Sequence, residues 1–279
     1  MTDRGGGMTA AATHLAIPPL RRAVPLVLAG ALVATAIAYP LSSGAARDVV
    51  SWTIVLLGSA LSVAHAGLSR GARTGAGVFA LVALTAVVFE SIGLATGHPY
   101  GTYTYSDTLG PTLLGVPFLV PLAWLMMAWP SWLLGELLAR PVRAPFRGAA
   151  RIAWAATVFA AWDVVLDPQL VQAGYWTWAD PTPGLPGIDT VPLTNLAGWL
   201  VAGAVLMTLL DVLVGRTRAD RFPRVGPVAP LFALGWMTLG GALAHATWLG
   251  LPGSAAWGAG LGAAVLVVLV VQHRRAGRP

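Results

Sequence analysis

The chain has 279 residues, of which 56% are hydrophobic and 10% charged, with a mean hydropathy of +0.72. A soluble domain carries about 25% charged residues, so this composition excludes a soluble fold and describes an all-α integral membrane protein. The absence of cysteine excludes disulfides, thiolate metal ligands and cysteine nucleophiles, and the net charge of +6 comes from arginines scattered among loops, which does not fit a nucleic-acid surface.

Residues 1–19 are rich in Gly, Thr and Ala, too polar for the core of a signal peptide, and read as a disordered cytoplasmic N-terminus. A polytopic membrane domain over residues 20–273 and a short cytoplasmic tail, 274–279, complete the chain. Within the domain, eight apolar runs approach the ~20 residues that cross a bilayer. They are 23–41, 49–68, 75–96, 116–138, 149–166, 193–215, 228–249 and 255–272, and they predict a bundle of about eight transmembrane helices. All 17 basic residues are arginine. Sixteen fall in the N-terminus, the second, fourth and sixth connections and the tail, against Arg47 alone on the other side. The positive-inside rule then puts both termini in the cytoplasm; the expected location is the cell (plasma) membrane.

The unusual residues gather towards the opposite face. Glu90 lies in the outward half of the third span, and Asp163 and Asp167 end the fifth. At i and i+4 the two aspartates share one helix face, one turn apart. Acids inside apolar helices are costly unless paired or hydrated, which makes them functional candidates. The arrangement recurs at an offset of 73 residues. Phe89-Glu90 matches Trp162-Asp163, and G-T-Y-T-Y-S-D (101–107) matches G-Y-W-T-W-A-D (174–180). The following helices carry L-A-W (122–124) and L-A-G-W (196–199), so spans three and four read as a tandem repeat of spans five and six.

Two neighbouring carboxylates in a poorly solvated site do not both ionise easily, which leaves a neutral acid able to donate a proton. Asp163, Asp167 and Glu90 form such a site if the third and fifth spans adjoin. The alternative is that these acids brace loop backbone and Trp N–H groups. Tyr103, Tyr105, Trp176 and Trp178 alternate, so each pair faces one side of an extended segment; they read either as an interfacial belt or as the lining of a pocket able to face a developing cation. Asn195 opens the sixth span beside them. His245, which with Trp248 ends the seventh, reads either as a water-positioning group or as a core histidine. His65, at the other end of the second span, reads as structural, Asp211 and Glu136 as partners of nearby arginines, and Asp107 and Asp180 as turn braces or site residues. No His/Asp/Glu set has metal-ligand spacing. D-x-x-x-D (163–167) also matches half of the Mg²⁺-diphosphate site of intramembrane prenyltransferases, but no second aspartate-rich motif and no basic residue on that face accompany it.

The run E-S-I-G-L-A-T-G-H-P-Y-G-T-Y-T-Y-S-D-T-L-G-P-T-L-L-G-V-P (90–117), followed by P-L-A-W and P-S-W, resembles the membrane carotenoid-biosynthesis family that contains bisanhydrobacterioruberin and γ-carotene hydratases. W-D-V-V-L-D-P, G-Y-W-T-W and N-L-A-G-W resemble that family's other signature. One departure is G-I-D-T-V-P (187–192), longer than the G-[IV]-P expected before the Asn. The resemblance implies hydration of a terminal double bond on an acyclic carotenoid end to a tertiary alcohol, without metal or nucleotide cofactor. Its implied partners are the carotenoid, the lipid bilayer and other carotenoid enzymes. On residue chemistry Asp163 is the proton donor, with Glu90 or Asp167 tuning it or activating water. Tyr103, Tyr105, Trp176, Trp178, Asn195 and His245 are the substrate-side residues. A proton-coupled transporter would also use buried acids, and a non-catalytic scaffold would keep the helices without needing them.

Overall fold

A computed structural model describes residues 19–216 and 225–276. The expectation for the N-terminus lies outside the described residues except for Pro19, which opens the first helix, and the last helix runs through Ala276 into the expected tail. Apolar sequence with few breakers folds into eight helices among the described residues: α1 (Pro19–Ala38), α2 (Gly44–Arg70), α3 (Ala72–Thr96), α4 (Leu119–Leu138), α5 (Ala144–Gln172), α6 (Leu193–Gly215), α7 (Val228–Leu249) and α8 (Pro252–Ala276). The protein is an all-α, multi-pass membrane bundle.

Six of the helices, α2, α3, α5, α6, α7 and α8, are long and apolar enough to cross a membrane unaided. The apolar part of α1, Ala23–Ala38, is shorter. Helix α4 falls short for another reason: Trp124, Trp129, Trp132, Pro121 and Pro130 lower its hydropathy, and none of its residues is exposed. Its neighbours close a ring around it. Proceeding round the ring, α1 packs on α2, α2 on α3, α3 on α6, α6 on α5, α5 on α8, α8 on α7 and α7 back on α1. Small residues let the axes approach: a Cβ on Gly135 of α4 would lie 2.7 Å from the Arg151 carbonyl oxygen and from Ala155 on α5. Ser59 and Ser62 of α2 donate to the Leu122 and Met126 carbonyls of α4, at 2.7 and 3.1 Å.

Two helix ends near the site, and the interior of a third helix, differ from expectation. Helix α5 continues past Pro168 to Gln172, so Asp163 and Asp167 lie within the helix rather than at its end. A proline removes one backbone donor, and a membrane helix tolerates this where its surroundings compensate. Helix α4 starts at Leu119 because residues before it form a hairpin, β2 (Thr112–Leu113) with β3 (Val116–Pro117). Helix α7 has the expected ends but contains two π-helical turns, Trp236–Gly240 and His245–Leu249, which widen it locally.

The described arginines of the second and fourth connections and the end of α6 gather at one end of the bundle. There Arg151 forks onto Asp211, at 2.5 and 2.8 Å, and Arg70 meets Glu136 at 3.5 Å, as expected. Both guanidiniums lie over the Trp132 ring. His65 is structural: its Nδ1 accepts from Trp129 at 3.0 Å and its Nε2 meets the Gly226 carbonyl at 3.1 Å. The other end is capped by an antiparallel ribbon of β1 (Tyr103–Tyr105) and β4 (Trp176–Trp178), the two repeated loops pairing with each other. Thr104 faces Thr177, its own repeat mate, and Tyr103 and Tyr105 face Trp178 and Trp176. The flanking bonds, Ser106 N–H to Tyr175 O and Ala179 N–H to Thr102 O, are both 2.9 Å long and are images of one another under the 73-residue offset. The ribbon therefore has a local two-fold relation through the two threonines.

Candidate functional site

Beneath the ribbon lies a cavity of about 260 Å³, reached by side chains from seven of the helices and from both loops. Glu90 (α3), Asp167 (α5) and Asn195 (α6) supply polar groups to its wall, together with Tyr103, Tyr105, Trp176 and Trp178 from the ribbon. Asp163 and His245 do not line it.

Glu90 is 4% exposed and fully provided with donors. The Tyr103 and Tyr105 hydroxyls both donate to Oε2, at 2.5 and 2.8 Å, and the Trp124 indole N–H donates to Oε1 at 3.2 Å. Burial, and then the Glu90 charge, push both phenols well above the usual tyrosine range, so they stay protonated and act as donors. The spacing of Tyr103 and Tyr105 on β1 makes this possible, because residues two apart on a strand face the same way.

Asp163 and Asp167 form a second polar centre. The Asn195 amide donates to Oδ2 of each, at 2.8 and 2.5 Å, so its two hydrogens are divided between two carboxyl groups. The other Asp163 oxygen, Oδ1, is buried without a hydrogen-bond partner. Among the described residues neither aspartate makes a salt bridge. In the helix ring α6 lies between α3 and α5, and Glu90 and Asp167 reach the wall of one cavity from these two helices.

Aromatic rings fill the space between. Trp124 and Trp199 lie 4.9 Å apart, with Tyr100, Phe159 and Trp162 around Trp199 at 6.2, 5.1 and 6.2 Å. Sequence reasoning left Tyr100, Trp124, Trp162, Trp199 and Gln169 out of the site, although all five line the cavity. A signal for Trp124 and Trp199 was present, since they are the matching tryptophans of L-A-W and L-A-G-W. Tyr100 is held in a slot: a Cβ on Gly93 or Gly198 would come within 2.9 or 2.6 Å of its ring. Its hydroxyl is buried and has no partner.

His245 has both ring nitrogens engaged, Nδ1 with the Ser254 hydroxyl at 2.6 Å and Nε2 with Gln169 Oε1 at 3.0 Å. It anchors the second π turn of α7 to α5 and α8 and reaches the cavity only through Gln169. No three His, Cys, Asp or Glu side chains among the described residues are disposed to hold a metal ion.

A family model described as "Carotenoid biosynthesis protein" matches residues 50–268. The chain belongs to that family. Its matched span includes both polar centres and the ribbon, and leaves α1 outside. Within the carotenoid biosynthesis family, the chain is 40% identical over 135 residues to the bisanhydrobacterioruberin hydratase of Haloarcula japonica. That alignment covers 47% of this chain and 44% of the relative, so less than half of the relative is represented. No solved structure matches the chain.

Proposed function

We propose that this carotenoid-biosynthesis protein is a hydratase that adds water across the terminal double bond of an acyclic carotenoid end, giving a tertiary alcohol. The observation that carries this reading is one apolar cavity whose wall holds carboxyl groups, an amide and a continuous set of aromatic faces. The relative's name, a hydratase, agrees with it. Ile37, Leu41, Leu243 and Trp248 line the cavity and are also exposed on the outer surface of α1, the turn after it and α7. A lipid-dissolved polyene can enter between these helices with its end leading.

In the proposed reaction the terminal alkene takes a proton from a carboxylic acid at its less substituted carbon, leaving a tertiary cation. Asp167 is the better donor than Asp163, because it faces the cavity and Asp163 does not. Asp163, linked to it through Asn195, supports a single proton shared across the pair. The faces of Trp124, Trp162, Trp199 and Tyr100 shelter the cation. Water attacks the cationic carbon through oxygen, and the resulting oxonium returns its extra proton to the vacated carboxylate. The acid is regenerated and one water is consumed.

Expression in a host that accumulates acyclic carotenoids tests the reading. Extracted pigments should gain the mass of one water per hydrated end. Asp167→Asn keeps shape and hydrogen bonding but lacks the acidic proton, so it should reduce hydrated pigment by about 10²–10⁴-fold, with protein still in the membrane. Asp163→Asn and Glu90→Gln should also be severe. If the wild-type chain, present in the membrane, leaves every candidate pigment unchanged, the hydratase reading fails.

A further inference from the structure

The cavity has a second polar region that the acids do not explain. Tyr39 after α1, Ser51 on α2 and Tyr175 before β4 bring three hydroxyls to its wall. Two of them, Ser51 and Tyr175, are joined to each other and to half-buried Asp48, and the third, Tyr39, lines the same wall. The Tyr175 hydroxyl donates to Asp48 Oδ1 at 2.7 Å and lies 3.2 Å from the Ser51 hydroxyl. Arg47 lies over the Tyr39 ring at 5.3 Å. Arg47 and Asp48 are half-buried, whereas Tyr39 is 6% exposed and its hydroxyl has no hydrogen-bond partner. Burial pushes the Tyr175 phenol up to about 12, so it remains a neutral donor.

This group differs from the acid centres in composition and surroundings. Arg47 lies over Tyr39 and Asp48 accepts from Tyr175, whereas at the acid end Tyr103 and Tyr105 donate to Glu90 and Asn195 donates to Asp163 and Asp167. Three neutral hydroxyls can hold water through both donor and acceptor positions, but none is acidic or basic enough to protonate an alkene. A buried hydroxyl without a protein partner is the kind of group that an internal water satisfies. The apolar face of the cavity admits a polyene from lipid, but lipid cannot deliver water to the same space.

We propose that Tyr39, Ser51 and Tyr175, backed by Asp48 and Arg47, form a polar inlet that admits and orders the water consumed in the reaction. The inference rests on the hydratase reading for the fate of that water, and on the hydroxyl geometry for its presence. Carotenoid and water then reach the acids by separate routes.

Radiolytic hydroxyl labelling of the full chain in lipid nanodiscs, read by mass spectrometry, tests for ordered water independently of catalysis. Tyr39 should be oxidised well above Trp129, an intrinsically more reactive ring that is fully buried and does not line the cavity. In the Tyr39→Phe, Ser51→Ala double variant, labelling of Tyr100 at the acid end should fall, and hydrated pigment should fall with it while carotenoid retention stays unchanged. Tyr39 no more oxidised than Trp129 would overturn the inlet, whatever the pigments show. Strong Tyr39 labelling in a wild-type protein that yields no hydrated pigment would support the water site and sink the hydratase reading instead. Hydrated pigment at the wild-type level in a folded double variant would also overturn the inlet.

Discussion

Tyr100 combines two properties that rarely coincide: a ring fixed between two glycines and a hydroxyl bonded to nothing in the protein. A purely structural tyrosine would be expected to use its hydroxyl, as Tyr103 and Tyr105 use theirs on Glu90. Tyr100→Phe should therefore leave the thermal unfolding midpoint within the range of a neutral substitution, because no protein hydrogen bond is lost. Hydrated pigment should nonetheless fall if the hydroxyl serves substrate or water. A variant that unfolds early and keeps its activity per folded molecule would reverse the assignment. At this scale the sequence singled out the acids, Asn195 and the alternating aromatics as candidates, because carboxylates in apolar helices and a Y-T-Y/W-T-W repeat are visible without coordinates. Tyr100 was not legible, since it stands beside Pro99 in a loop and its value comes from Gly93 and Gly198, one before it and one far after. His245 was legible as a polar residue in a span, but its partners Ser254 and Gln169 lie on other helices, and only they reveal it as an anchor.

Helices α3 and α6 receive the loop between α3 and α4 through a close backbone approach. A methyl group on Gly198 would lie 2.6 Å from the Tyr100 ring and 3.0 Å from the Pro99 carbonyl. Neither neighbour can withdraw without moving the loop that carries β1. Gly198→Ala should cost about 1–3 kcal/mol, the usual range for overpacking, and should loosen Tyr103 and Tyr105 from Glu90. Gly260→Ala, where a methyl group meets nothing within 4 Å, serves as the control and should be neutral or slightly stabilising. Thermal unfolding of both purified variants in one detergent makes the comparison. Eight helices and their order followed from apolar runs. The π turns of α7 did not, because nothing in hydropathy distinguishes them from α-helix. The passage of α5 through Pro168 was also missed, since a proline after an acid reads as a helix end until packing shows otherwise. The repeat was visible as a 73-residue offset, but the pairing of its two loops into one ribbon was not.

Across the whole molecule, alternating helix direction collects the described arginines of the second and fourth connections at one end and leaves Arg47 at the other. We propose that the arginine-rich end is cytoplasmic, in accord with the positive-inside rule. Reporter fusions at Arg143 and at Gly184 should then report opposite sides, with Arg143 inside; the reverse result would move the acids to the cytoplasmic half. The central position of α4 has a consequence for biogenesis. A helix with three tryptophans and two prolines partitions weakly from the insertion machinery into lipid, and in the mature protein it has no exposed residue to solvate there. Its place must be held by protein instead, first by α2 and α3, which are synthesised before it, and then by α5. The core helix is therefore solvated by protein rather than by lipid, and its stable placement should depend on neighbours synthesised before it.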